Sequence, residues 1–188
     1  MSLSTVHERP RRRLFLALYP ALAQRQRLAQ VVADGCPELK AAGVRRIPVA
    51  NLHITLIFLG NITAELQSCI EQTAATVVAP VFSLRLDRLG YWSHKHMLWA
   101  MPAPGDVPGA LTTLVDSLRQ GLAACDVTLE QRSYRPHVTL ARQLERGPRQ
   151  GRISPVDWTL DRFALMESVT TPVGVQYPVL QSWPLIMS

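Results

Sequence analysis

Asn51-Leu52-His53-Ile54-Thr55-Leu56-Ile57-Phe58-Leu59-Gly60 and its echo, Arg135-Pro136-His137-Val138-Thr139-Leu140-Ala141-Arg142, decide how this chain is read. Both are His-x-Thr-apolar within short aliphatic and β-branched runs bounded by Pro, Gly or Asn, a pattern that predicts strands. On a strand, residues i and i+2 share a face. His53 and Thr55 therefore project from one side while Ile54, Leu56 and Phe58 project from the other, and His137 with Thr139 repeats this against Val138 and Leu140. A single such histidine reads as a satisfied core residue. Two matching pairs among five histidines read as a site.

At 188 residues and 47% hydrophobic content the chain is long enough for one packed domain, or for two lobes sharing a core. No apolar run approaches the ~20 residues of a membrane span, so no membrane partner is expected. The polar, Arg-rich start from Met1 to Arg13 has no apolar segment followed by a small-residue cleavage site, which predicts a cytoplasmic protein. Cys36, Cys69 and Cys125 lie far apart, and an odd, scattered set predicts a reducing compartment with neither a disulfide frame nor a zinc cage. The net charge is +6, and 18 of the 20 basic residues are Arg, whose forked guanidinium matches phosphate oxygens. The same Arg-, Ala- and Pro-rich composition would follow from a GC-rich genome, so charge alone does not choose the substrate.

Working outward, Leu14 to Leu18 reads as a buried strand, with Arg11 to Arg13 before it as a solvated basic run. Ala21 to Asp34 is a helix stopped by Gly35, and a short strand is expected within residues 44–49. After the first motif strand, Thr63 caps a helix whose buried stripe is Leu66, Ile70, Ala74, Val77 and Val78. Phe82 to Asp87 and Met97 to Met101 alternate as strands. His94-Lys95-His96 between them has no neighbouring Cys or clustered carboxylate, and reads as a solvent-facing hairpin rather than a metal site. The Pro/Gly-rich connector at 102–109 marks a possible lobe boundary within the single domain 1–188. Leu111 to Leu122 is a third helix, 127–129 starts a strand leading into the second motif, residues 143–157 are a long structureless loop, and 163–168 with 176–183 close the chain as strands. The two motifs, 84 residues apart, suggest a duplication that sets two motif strands face to face.

Two opposed imidazoles, with ordinary pKa values near ~6.5, divide acid–base work: one takes a proton from water while the other delivers one to a departing oxygen. That suits in-line displacement at phosphorus, with the Thr hydroxyls donating to the non-bridging oxygens. No Gly-rich phosphate loop, acidic metal cluster or nucleophile elbow is present in the sequence, so the simplest chemistry needs no metal or cofactor.

The paired motifs, with Arg13-Leu14-Phe15-Leu16-Ala17 at the start and Tyr177-Pro178-Val179-Leu180 and Trp183-Pro184-Leu185 at the close, resemble the two-histidine (2H) phosphoesterase superfamily over nearly the whole chain. The similarity is greatest to its bacterial RNA 2′,3′-cyclic phosphodiesterase branch, also called 2′-5′ RNA ligase (LigT-like). The resemblance implies an α+β, bilobal fold in which two antiparallel β-sheets flank a central cleft with helices outside. It also implies metal-free opening of RNA 2′,3′-cyclic phosphate ends, or of small cyclic nucleotides, to 2′-phosphates, with a weak reverse ligation. Residue by residue it implies His53 and His137 as the acid–base pair, His53 as the acid, and Thr55 and Thr139 as phosphate-binding hydroxyls. Arg142 joins them only if its strand bulges, since strict alternation turns it away from His137. Tyr134 and the Arg146 to Arg152 loop are further candidates for nucleotide contact. A monomer is expected. The alternatives are 2′-5′ ligation or 2′-5′ phosphodiester cleavage as the main activity, and an RNA-binding module without turnover.

Overall fold

The computed structural model describes residues 11–130, 132–148 and 151–187. Its strands are β1 (Arg12–Leu18), β2 (Arg45–Arg46), β3 (Ile54–Ile62), β4 (Phe82–Trp92), β5 (Met97–Met101), β6 (Val138–Arg142), β7 (Arg152–Leu160), β8 (Arg162–Glu167), β9 (Val169–Thr171), β10 (Gly174–Gln176) and β11 (Val179–Pro184). Three helices, α1 (Leu22–Gly35), α2 (Ala64–Thr76) and α3 (Gly109–Leu122), complete it. The main sheet runs β11-β8-β1-β3-β6-β5-β4-β7, with β2 on β6 and β9–β10 as a separate hairpin. All of these pairings are antiparallel.

The join at the centre is slight. β3 and β6 share a single register pair, Ile54 opposite Val138, so two four-stranded halves meet at the two motif strands. This is the expected α+β architecture of antiparallel sheets. The halves are woven from the whole chain: β1, β3, β8 and β11 build one, β4 to β7 the other, and the connector at 102–108 leads from β5 into α3 within that weave.

Alternation accounts for the layers. Leu14, Leu16 and Leu18 of β1 enter the main core with Ile54 and Leu56, while Phe15 and Ala17 face the opposite side in a small cluster with Ala164 and Met166. Thr63 caps α2, its Oγ1 accepting from Leu66 N at 3.4 Å. α2 and α3 pack on each other and on the β3 half. α1 follows β1 in sequence but covers β7 of the other half, where Trp158 Nε1 donates to Gln24 O at 3.2 Å.

Four expectations are corrected. Residues 143–157 are not all loop: β7 begins at Arg152, with Ile153, Val156, Trp158 and Leu160 buried. It is an edge strand, and the register jump from Leu86–Val156 to Arg88–Arg152 accommodates Pro155, which a central strand would not. Residues 127–129 form no strand, and α2 ends at Thr76, short of Val77 and Val78. The short strand expected within residues 44–49 is present as Arg45–Arg46, and a 3-10 turn, Val49–Asn51, follows.

The fourth correction concerns sulfur. Cys69 of α2 and Cys125, just beyond α3, form a disulfide with a Cα–Cα distance of 5.8 Å, and Cys36 stays free and buried. Spacing in the sequence said nothing here, because the side-by-side packing of α2 and α3 brings together residues 56 apart. The cysteines therefore do not argue for a reducing compartment. Alkylation of the oxidised, denatured protein is expected to label one cysteine. Replacing Cys69 and Cys125 by Ala should lower unfolding free energy by about 2–4 kcal/mol, read from the denaturant midpoint. Among the described residues, no helix is long and apolar enough to cross a membrane.

Candidate active site

The pairing of Ile54 with Val138 fixes the geometry of both motifs. In that antiparallel register His53 lies opposite Thr139, and Thr55 opposite His137, all four on the face away from Ile54 and Val138, which are fully buried. Diagonal neighbours on such a face have backbones ~7–8 Å apart, so the two imidazoles rise from adjacent positions on it. His53, Thr55, His137 and Thr139 all line one cleft of about 750 Å³.

The two imidazoles are held alike. His53 Nδ1 donates to Asn51 O at 2.7 Å, and His137 Nδ1 donates to Arg135 O at 2.9 Å, each reaching the carbonyl two residues back. Because a carbonyl only accepts, each neutral ring carries its proton on Nδ1 and turns the Nε2 lone pair to the cleft. Thr55 Oγ1 donates to His53 Nε2 at 3.2 Å, and Thr139 Oγ1 makes a weak bond to Met97 Sδ at 3.9 Å. An arriving phosphate oxygen can take either hydroxyl at small loss.

Burial pushes the His53 imidazole down to about 4, the Asn51 carbonyl opposing this and nearby His137 adding to it. Burial likewise lowers His137, with the Arg135 carbonyl opposing and the Lys95 ammonium adding to the shift. Aromatic rings wall both. Phe15 and Tyr177 each lie 5.0 Å from the His53 ring, and Trp92 and Trp99 lie 4.9 and 6.3 Å from that of His137.

Arg142 does face the cleft. Across β5, the register steps from Leu98–Ala141 to Trp99–Thr139, leaving Leu140 as the extra residue of a bulge. Leu140 and Ala141 are both buried, the alternation is reset, and Arg142 emerges on the histidine side. Tyr134 also lines the cleft and donates to Thr55 O at 3.2 Å, and burial raises its phenol above the ordinary range. No described residue of the Arg146 to Arg152 loop lines it.

Several wall residues were not anticipated. Arg13, assigned to a solvated run, lies 4.9 Å from the Phe58 ring centroid and lines the cleft, as do Phe15, Tyr177, Trp92 and Lys95. Alternation along β1 was the available signal for Arg13 and Phe15. For Trp92 and Lys95 there was none, because the β4–β5 turn folds over the second motif only in three dimensions. Lys95 Nζ sits 5.2 Å from the Trp92 ring centroid, and His94 beside it also lines the cleft. His96 Nδ1 instead donates to Leu144 O at 3.2 Å. Arg13, Lys95, Arg119, Arg132, Arg135 and Arg142 line the cleft, against a single lining carboxylate among the described residues, Glu130, which is paired with Arg132, a field suited to anions. Among the described residues, no three His, Cys, Asp or Glu side chains gather as metal ligands.

The chain and its fold are similar to known proteins. The sequence model of the 2′-5′ RNA ligase superfamily matches residues 20–171. An Escherichia coli protein named RNA 2′,3′-cyclic phosphodiesterase is 30% identical over 147 residues, 75% of this chain and 80% of that protein. A Thermus thermophilus protein of the same name is 30% identical over 156 residues, 76% of each. The crystal structure of E. coli LigT complexed with 3′-AMP is similar with a TM-score of 0.83 at 26% identity, covering 93% of this chain and 98% of that one.

Proposed function

The chain belongs to the 2′-5′ RNA ligase superfamily, and on that footing we propose that it is a phosphoric diester hydrolase opening RNA 2′,3′-cyclic phosphate ends to 2′-phosphates. The observation that carries the reading is the pair of Nε2 atoms, from His53 and His137, turned to one cleft by identical Nδ1–carbonyl bonds. Water attacks phosphorus opposite the 3′ oxygen; one neutral ring takes the water proton, the P–O3′ bond breaks, and the other ring, protonated, delivers its proton to O3′. Thr55 and Thr139 donate to the non-bridging oxygens as charge gathers there, and Arg142 adds a cation. The aromatic walls and the basic rim suit a nucleotide and its phosphates. The names carried by the E. coli and T. thermophilus relatives support the same substrate class.

Incubation of RNA bearing a 2′,3′-cyclic phosphate with the protein in excess chelator is expected to give a 2′-phosphate and a free 3′-hydroxyl, since imidazoles perform every proton transfer. A 2′-5′-linked product as the main outcome, RNA binding without turnover, or a requirement for added metal would each overturn the reading.

The acid dependence follows from the lowered imidazoles. The active free enzyme holds one proton on the pair. Below about 4 both rings are protonated and the base is lost; above an upper limit itself below 6.5, both are neutral and the acid is lost. A plot of kcat/KM against pH is therefore expected to be a bell on the acid side of neutrality. In kcat the upper limb moves to higher pH, because the bound phosphate anion stabilises the imidazolium. A kcat/KM profile flat from pH 4 to 8 would contradict this.

A further inference from the structure

Arg25 is the one charged side chain among the described residues that is buried, at 5% exposure. It stands on α1, outside the cleft, and no described carboxylate pairs with it. Its Nη1 donates to Ala50 O at 2.6 Å and to Val49 O at 3.3 Å, while Nε has no partner. The guanidinium carbon lies 4.0 Å from the Tyr19 ring centroid, and Tyr19 OH donates to the same Ala50 O at 3.4 Å. A buried cation held by carbonyls and one aromatic ring, with no carboxylate, is a poor device for stability, since an apolar side chain of similar volume would fill the space without desolvating a charge.

What it holds gives the reason. Val49–Asn51 is the 3-10 turn that leads into the first motif, and Leu52 N also donates to Val49 O, at 3.2 Å. Asn51 Nδ2 ties the turn to Val175 O at 2.7 Å, and Asn51 O receives the His53 Nδ1 proton. A turn that rocks would carry that acceptor with it, and the ring would be free to exchange its two protonation forms.

We infer that Arg25 is a positioning residue: by clamping the carbonyls of Val49 and Ala50 it fixes the turn so that Asn51 O keeps the proton on His53 Nδ1 and leaves Nε2 unprotonated toward the cleft. Arg25 does not touch the substrate. The inference rests on the proposed catalytic role of His53, and its test has a readout that does not depend on turnover.

Arg25→Met keeps most of the bulk and removes the donors. Assayed on RNA ending in a 2′,3′-cyclic phosphate, it is expected to lose about 10- to 100-fold in kcat. KM should stay within about threefold, as for a group that acts only on the chemical step. In ¹⁵N NMR of the imidazoles, His53 should change from the Nδ1-protonated form to a mixture of the two tautomers. A structural role alone would lower the urea midpoint while leaving the tautomer and the kcat of folded protein as in wild type, and that result overturns the inference. Should Arg25→Met fail to fold, Arg25→Lys takes its place, because its ammonium ends one bond short of the Nη1 position from which both carbonyls are held. A reduced kcat at unchanged KM with a mixed tautomer then supports the clamp, and wild-type values for both sink it. A tautomer change with wild-type kcat would uphold the clamp and refute the catalytic reading of His53.

Discussion

Replacing His53 or His137 by Ala is expected to lower kcat by about 10²–10⁴. In the proposed mechanism each ring performs one of two proton transfers on a single phosphorus, so losing either would leave water too weak a nucleophile or the 3′ oxygen too poor a leaving group. Because the two act as a unit, the double variant should be little worse than either single one. KM should change less than kcat, since Thr55, Thr139 and Arg142 still meet the phosphate. Both rings are partly exposed, and Ala in their place opens the cleft rather than the core, so folding should survive. Circular dichroism and the urea midpoint check that point, and single-turnover rates check the chemistry. A wild-type rate in either single variant would remove that ring from the reaction.

Gly90→Ala should be nearly as damaging from further away. Gly90 pairs with Trp99 across β4 and β5, and the indole lies over its Cα. A methyl there would stand 1.9 Å from Trp99 Cη2 and 2.0 Å from Cζ2, far inside contact distance. The backbone is ordinary, so the glycine is required for space and not for its torsion angles. The indole must move, and it lies 5.4 Å from Trp92 and 6.3 Å from His137, so the wall that orients the second imidazole moves with it. Overpacking of this kind typically costs about 1–3 kcal/mol. A fall in kcat of about 10²-fold is expected to accompany it, as for a misplaced catalytic group. Trp99→Leu on the Gly90→Ala background should recover stability without recovering turnover, the two substitutions being coupled through one space. Unchanged stability in Gly90→Ala alone would show that the indole has room to retreat.

What the sequence made legible was periodic. Both motif strands, the faces of Ile54 and Val138, the cap at Thr63 and the stripe of α3 follow from spacing, because neighbours along the chain decide them. What it concealed depends on contacts between distant segments. Pro155 masked β7, which is a strand only because β4 offers it an edge with a register jump. The bulge at Leu140 that turns Arg142 inward exists only against β5. The union of Cys69 with Cys125 needed two helices laid side by side, and the need for Gly90 appears only when the indole of Trp99 is opposite. Arg25, which helical spacing does not single out, is buried because α1 packs against the Val49–Asn51 turn, a neighbour that the local pattern does not reveal.

The lone register pair Ile54–Val138 makes the neighbourhood of the reacting atom almost its own mirror under a half-turn, with a ring and a hydroxyl on either hand. Such a catalyst has little intrinsic sense of direction. By microscopic reversibility, whichever ring protonates an oxygen on the way out deprotonates it on the way in, and an entering alcohol is handled as water is. The balance between cutting and joining is then set from outside the protein, by how much water competes with how few RNA hydroxyls at the mouth of the cleft.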